Sequence, residues 1–172
     1  MKANVPEIAF VALGSNLGNS IDILCRALRR LRPLSVKPVL ASSFWRSDPV
    51  DCPPGSPPFI NAVAALRPRA GETPATLLRQ LRALEKEFGR QPEKIRNAPR
   101  LLDLDLIAFG SRTMNSARLI LPHPRAHLRR FVLQPLNEVA PDFILPGQAK
   151  TARQLFRGLE TGEKLRRVRK FQ

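Results

Sequence analysis

Residues 97–109, which read NAPRLLDLDLIAF, indicate both a fold and a site. Read with the two-residue period of a β-strand, the alternate leucines from Leu102 onward lie on one face, where they can pack on a core. Asp103, Asp105 and Ile107 then lie on the opposite face. Carboxylates at positions i and i+2 lie about 7 Å apart and repel each other, and aspartate is a poor strand former. The pair therefore indicates a bound cation, although a half-buried strand with a solvated polar face is an equally weighted alternative.

The two aspartates favour a hard cation, because oxygen ligands suit Mg²⁺. This ion usually takes one or two carboxylates together with substrate phosphates. Arg100 precedes the pair and can add positive charge beside a phosphate. The strand thus predicts a site where a metal ion and a phosphate meet.

The length and composition predict one domain, residues 1–172, with enough chain for a hydrophobic core. Only Cys25 and Cys52 are present, without a C-x-x-C spacing. This argues against a disulfide framework or a zinc site and predicts a reducing, cytoplasmic location. The apolar run 8–13 is too short for a signal peptide or a membrane span, so no membrane association is expected.

The formal net charge of +15 favours an anionic partner such as a nucleotide, a nucleic acid or an acidic lipid. A basic, solvated surface explains the charge equally well. With no tyrosine and one tryptophan the chain has few stacking platforms, and we expect no specific nucleic-acid partner. The basic C-terminal tail, about residues 160–172, is predicted to be a frayed, solvated end, with a nucleic-acid or membrane contact as the less favoured alternative.

Apolar periodicity and turn residues predict the order strand, helix, strand, strand, helix, strand, followed by shorter elements. This split βαβ order predicts an α+β sandwich, with a mainly antiparallel sheet, helices on one face and ligand-binding loops on the other. The predicted elements are strands at 8–13, 36–47, 59–66, 102–109 and 119–121, helices at 20–33, 73–89, 131–140 and 151–159, loops at 48–58 and 90–99, and a hairpin turn at 110–111.

Three further side chains indicate a ligand site. His123 lies between two prolines, which restrict its backbone, and Phe59 and Asn61 share one strand face. Each alone is commonly a core or surface residue. A buried amide such as that of Asn61 needs partners, however, and it can bind the edge of a heterocycle.

Six stretches, in order along residues 8–147, resemble the 6-hydroxymethyl-7,8-dihydropterin pyrophosphokinase family. The R-x-x-D-x-D block and the downstream P-H-P-R are specific as a pair. The resemblance implies a ferredoxin-like fold and transfer of pyrophosphate from ATP to the hydroxymethyl group of the pterin, leaving AMP, in folate biosynthesis. The stretches are ALGSNLG (12–18), SSFWR (42–46), FINA (59–62), EKEFGR (85–90), PRLLDLD (99–105) and LPHPR (121–125).

The resemblance also implies site residues, and loops 48–58 and 90–99 that close over ATP and the pterin in what we expect to be a monomer. The implied catalytic residues are Arg90, Arg100, Asp103 and Asp105, with two Mg²⁺ ions on the two aspartates. The implied pterin-binding residues are Ser47, Val50, Phe59, Asn61 and Phe131. The implied ATP-binding residues are Glu85, Arg90, Arg100, Leu106, Arg118, His123 and Arg129.

Some positions depart from the family pattern. Arg82 stands where a glutamine is common, Leu101 where a threonine is usual, and Leu128 also differs. Two other functions remain open. One is a basic binding module that has kept the fold and lost turnover. The other is an RNA-binding protein, for which the required aromatic run is absent.

Overall fold

The computed structural model of the chain describes residues 7–90 and 97–169. Part of the predicted loop 90–99, residues 91–96, lies outside this description. Two 3₁₀ turns, Arg32–Leu34 and Ala126–Leu128, accompany the regular elements. These are β1 (Ala9–Ser15), α1 (Ser20–Leu31), β2 (Leu40–Ala41), β3 (Phe44–Ser47), β4 (Phe59–Leu66), α2 (Pro74–Glu87), β5 (Asp103–Phe109), β6 (Met114–Asn115), β7 (Ile120–Leu121), α3 (Arg130–Val139), α4 (Ala152–Gly158) and β8 (Leu165–Arg169).

The main sheet is antiparallel, with the strand order β5-β1-β4-β3-β8, and β2 also pairs with β4. The predicted α+β architecture is therefore confirmed. The starts of the first two helices are as predicted, because Asn19 caps α1 and Thr73 caps α2 ahead of Pro74. No helix in residues 7–90 and 97–169 is both long and apolar enough to cross a membrane.

Each face of the sheet packs on a core of its own. Helices α1 and α2 cover the first face, where Leu104 and Leu106 of β5 are buried. Helices α3 and α4 cover part of the second face, so helices pack on both faces of the sheet and not on one face alone as predicted. Ile107 and Ala108 both lie in this second core, because a β-bulge shifts the register between β1 and β5.

The predicted strand 36–47 is wrong in its extent. It divides into β2 and β3 at Ser42, whose hydroxyl accepts the backbone N–H of Val63 at 3.0 Å in place of a strand carbonyl. The next residue, Ser43, donates its N–H to Glu138 of α3 at 2.6 Å. The Ser42 N–H still donates to the Val63 carbonyl at 2.9 Å, so side-chain groups replace only part of the strand ladder at these two residues.

Two further predictions are corrected. The chain turns at Gly110, but β6 pairs with β7 and not with β5, so the hairpin lies later than predicted. The prediction of a frayed C-terminal end is wrong for residues 165–169. They form β8, an edge strand of the sheet paired with β3. Edge strands accept charged side chains, and for this reason the basic sequence did not indicate a strand.

Candidate functional site

The two aspartates of β5 lie at the open end of the second face of the sheet. Asp103 is paired with Gly14 of β1 and Asp105 with Ala12, so small residues adjoin both acids. A β-carbon at Gly14 would lie 3.5 Å from Asn61 Oδ1 and 4.0 Å from Asp103 Cβ. The missing side chain at Gly14 therefore leaves space above the sheet between the amide and the acid.

This space is a cavity of about 250 Å³ that brings together most of the predicted residues. Both aspartates and both aromatic rings line it, so the acids lie in a cleft that the phenyl rings border. The predicted residues that line it are Ser47, Val50, Phe59, Asn61, Arg90, Arg100, Asp103, Asp105, His123, Arg129 and Phe131.

A second cavity, of about 260 Å³, lies on the other side of β5. Of the predicted residues it adds Leu106 and Arg118, and it also contains Arg82. Asp105 and His123 line both cavities. The two cavities thus meet at a carboxylate and an imidazole.

Asp103 is held by two guanidinium groups. Its Oδ1 atom lies 2.9 Å from Arg90 Nη1 and 3.3 Å from Arg100 Nη1. Arg90 in turn pairs with Glu85, which is 3 % exposed, lines neither cavity and accepts the Leu104 N–H at 2.8 Å. Glu85 therefore fixes an arginine and the acid-bearing strand together, and its predicted direct contact with ATP stays a prediction.

Asp105 is in a different environment. Its removal from water, followed by repulsion from Asp103, raises its pKa to about 6, while Arg129, Arg90 and Arg100 oppose this rise. A carboxylate whose ionised form is destabilised by burial is stabilised strongly when it binds a cation. In the described residues, however, no group of three or more His, Cys, Asp or Glu side chains is placed to hold a metal ion.

His123 is neutral at physiological pH, because burial and then the charges of Arg129 and Arg125 lower its pKa to about 4. Its backbone N–H donates to the carbonyl of Ile107, the bulged residue of β5, at 2.8 Å. Its Nδ1 atom accepts the Arg125 N–H at 3.3 Å. The bulge thus sets the position of the imidazole between the cavities.

The far wall of the first cavity carries an oriented amide. Asn61 is 5 % exposed and donates through Nδ2 to Ser47 Oγ at 2.9 Å. Its Oδ1 atom lies beside the space above Gly14. Across the cavity, the Arg129 guanidinium stands 5.3 Å from the centroid of the Phe131 ring. Burial, followed by the neighbouring Arg125 charge, lowers the pKa of Arg129.

Asn16 joins the loops around the site and was missed from the sequence. Its Oδ1 atom accepts the Arg100 N–H at 2.8 Å and its Nδ2 atom donates to the Pro57 carbonyl at 3.2 Å. Asn97 adds a second link, because its Nδ2 atom donates to the Asp51 carbonyl at 2.7 Å. Asn16 lies within the stretch 12–18, one of the six that resemble the family. Its place in that stretch is the only sequence signal that could have identified it.

Comparison with known proteins identifies relatives over most of the chain. The family model described as 7,8-dihydro-6-hydroxymethylpterin-pyrophosphokinase matches residues 10–141. A Synechocystis protein named 2-amino-4-hydroxy-6-hydroxymethyldihydropteridine pyrophosphokinase is 42% identical over 148 residues, covering 86% of this chain and 73% of the relative. The Haemophilus influenzae protein of the same name is 39% identical over 139 residues, covering 80% of this chain and 84% of the relative.

Solved structures support the fold. The wild-type HPPK-DHPS of Plasmodium falciparum with pteroate matches with a TM-score of 0.71 at 14% identity, over 91% of this chain. This chain spans only 45% of that longer protein. At this identity the likeness concerns the fold alone.

Proposed function

Because this chain belongs to the 7,8-dihydro-6-hydroxymethylpterin-pyrophosphokinase family and is a pyrophosphokinase of folate synthesis, we propose that the first cavity binds the pterin and the second the nucleoside of ATP. The observation that carries the proposal is that both cavities share Asp105 and His123. The polyphosphate that links the two substrates then passes the acids of β5.

The first cavity suits a flat, polar heterocycle. Phe59 and Phe131 offer two ring faces, and offset aromatic contacts contribute about 0.5–1.5 kcal/mol beyond burial. The Asn61 amide, oriented by Ser47, supplies a donor and an acceptor for the edge of the ring. Backbone groups near Val50 complete this edge in the proposal.

The second cavity suits a nucleoside with an attached anion. Apolar side chains of Leu106 and Ile120 line it beside the guanidinium groups of Arg82 and Arg118. Because Nδ1 of neutral His123 accepts the Arg125 N–H, its Nε2 atom carries the proton and can donate a hydrogen bond at the boundary.

The aspartates fit Mg²⁺ in their chemistry, since carboxylate oxygens and substrate phosphates are the ligands that this ion takes. Asp103 and Asp105 would hold two such ions, which would neutralise charge on the phosphates. With only two carboxylates converging in the described residues, phosphate oxygens and water supply the remaining ligands in this proposal.

The side chains of this protein bind and orient the triphosphate. Arg90 and Arg100 are held beside Asp103, so their charges are in place before the reaction and need little reorganisation. In the reaction the pterin hydroxymethyl oxygen bonds to the β-phosphorus and loses its proton, while the bond from the β-phosphorus to the bridging oxygen of AMP breaks. Guanidinium groups stabilise the charge that builds on that oxygen.

The loop contacts serve to exclude water. The Asn97–Asp51 hydrogen bond joins the loop before β5 to the loop 48–58 above the first cavity. A joined pair of loops can keep water away from the phosphates and so prevent hydrolysis of ATP. Action as a monomer, residence in the cytoplasm and a single domain over residues 1–172 stay predictions.

The test is AMP formation from ATP, Mg²⁺ and 6-hydroxymethyl-7,8-dihydropterin. We expect Asp103→Ala and Asp105→Ala to reduce the rate by more than about a hundredfold, since each removes a charge beside the phosphates. Asp142→Ala, at an exposed aspartate outside both cavities, is the matched control. A rate within about tenfold of the parent in both cavity variants contradicts the proposed metal site. Pterin binding without any AMP favours a module that has lost turnover.

A further inference from the structure

The first turn of α3 is capped from a distant part of the chain. Its N-cap residue, Arg129, makes no side-chain capping hydrogen bond, and the turn has no acidic residue. Instead, Glu163 Oε2 accepts the N–H of Arg130 at 2.9 Å and that of Phe131 at 3.3 Å, from 33 and 32 residues away. The N–H groups of a first helical turn lack intrahelical partners and carry partial positive charge, so a carboxylate there is stabilising.

That turn is also a wall of the first cavity. Phe131, whose N–H is held by Glu163, lines this cavity together with Phe59. Arg129, the preceding cap residue, lines the same cavity with its guanidinium over that ring. A shift of the first turn therefore moves a ring face and a cation together.

The segment that carries Glu163 is fixed on its other side to the opposite wall. Glu163 donates its own N–H to Thr161 Oγ1 at 3.2 Å. Two residues later, Leu165 begins β8 and pairs with Ser47, which orients Asn61. Residues 163–165 thus connect α3 to β3, and they lie outside residues 10–141, which the family model matches.

We propose that Glu163 is a positioning residue for the pterin. It acts through the first turn of α3 and touches neither substrate. The inference rests on the proposed function, because it needs the first cavity to be the pterin site. It extends the set of residues that determine pterin affinity into the C-terminal segment.

The test compares KM for the pterin and for ATP in Glu163→Ala, Glu163→Gln and the control Glu160→Ala, a nearby exposed glutamate. For Glu163→Ala we expect KM for the pterin to rise about threefold to thirtyfold, the range for losing a helix cap, with a smaller rise in KM for ATP, because Arg129, an implied ATP-binding residue, precedes the capped turn. Glu163→Gln keeps an oxygen acceptor and loses the charge, so a rise of about twofold to fivefold is expected. Glu160→Ala is expected to match the parent.

A titration of dihydropterin binding is measured in parallel, so that the inference is judged on Kd even if the parent forms no AMP. Absence of AMP with the parent contradicts the proposed function. Unchanged pterin KM and Kd in Glu163→Ala, or equal rises for both substrates, overturn the role of Glu163. If Glu163→Ala does not fold, the same two outcomes in Glu163→Gln decide.

Discussion

Replacing Asp105 by asparagine is expected to stabilise the metal-free protein at about pH 8 while abolishing turnover. The native fold keeps this carboxyl away from water and close to Asp103, which raises its pKa to about 6. The ionised form is therefore destabilising unless a cation is bound. An uncharged amide of the same shape removes that unfavourable free energy together with the proposed metal ligand.

The magnitude follows from the pKa difference between the folded and unfolded states. The ordinary value is 3.8 and the native value about 6, and each unit corresponds to about 1.4 kcal/mol. At pH 8 the gain in the free energy of unfolding is then at most about 3 kcal/mol. Because the folded state binds the proton more tightly, the wild-type penalty is absent below the unfolded pKa, grows as the pH rises toward the native pKa, and is complete above it. The gain should thus fall below about 1 kcal/mol near pH 4.

Urea unfolding in the presence of a chelator, at several pH values between about 4 and 8, measures this gain. The matched control is Asp103→Asn. This change removes the carboxylate that lies 2.9 Å from Arg90 and 3.3 Å from Arg100. It is expected to lower the free energy of unfolding by about 1 kcal/mol. A less stable Asp105→Asn variant at pH 8, or a gain that does not change with pH, would refute the reasoning.

Three further changes test other parts of the fold. Gly14→Val should fill the space above the sheet and weaken pterin binding at least about tenfold, whereas Gly14→Ala, whose new carbon meets only ordinary contacts, should bind nearly as the parent in the same titration. Glu85→Ala should lower the free energy of unfolding by about 1–3 kcal/mol in urea, because the Leu104 N–H and the Arg90 guanidinium both lose this buried acceptor, and a change below about 0.5 kcal/mol would contradict this role. Gly110→Ala should lower the free energy of unfolding by about 1–2 kcal/mol, since φ at this residue is +53° and the new β-carbon would lie 2.9 Å from Glu7 Oε1. An unchanged midpoint of thermal unfolding would count against this prediction.

Local signals explain what the sequence could predict. Strand β4 was expected at residues 59–66 and is found there, because prolines precede it and apolar residues fill it. The start of α2 was clear since Thr73 and Pro74 are a cap followed by a first helical residue. The acids and Phe59 could be assigned to one cleft because they belong to short stretches that resemble those of the family and occur in the same order.

Long-range partners explain what could not be predicted. The break between β2 and β3 depends on the hydrogen bond between Ser42 and Val63. The role of Asn16 depends on its hydrogen bond with Arg100, 84 residues away. The cap at Glu163 joins segments that share no local pattern. Strand β8 lacks an apolar alternation because its neighbour on one side is solvent. Such interactions arise only once the sheet has brought distant segments together.

The bulge at Ile107 allows one strand to follow two incompatible alternations. Before the bulge, the even-numbered residues from Leu102 to Leu106 enter the core that α1 and α2 cover. After the bulge, the odd-numbered residue Phe109 enters the same core. If the same seven residues formed a regular strand without the bulge, they would follow one uniform two-residue repeat, and the strand could then satisfy only one of its halves. Either the acids would turn toward α1 and α2, or Phe109 would leave the core that it shares with Leu104 and Leu106. The extra residue therefore allows the acidic half and the apolar half of β5 to coexist in a strand of seven residues.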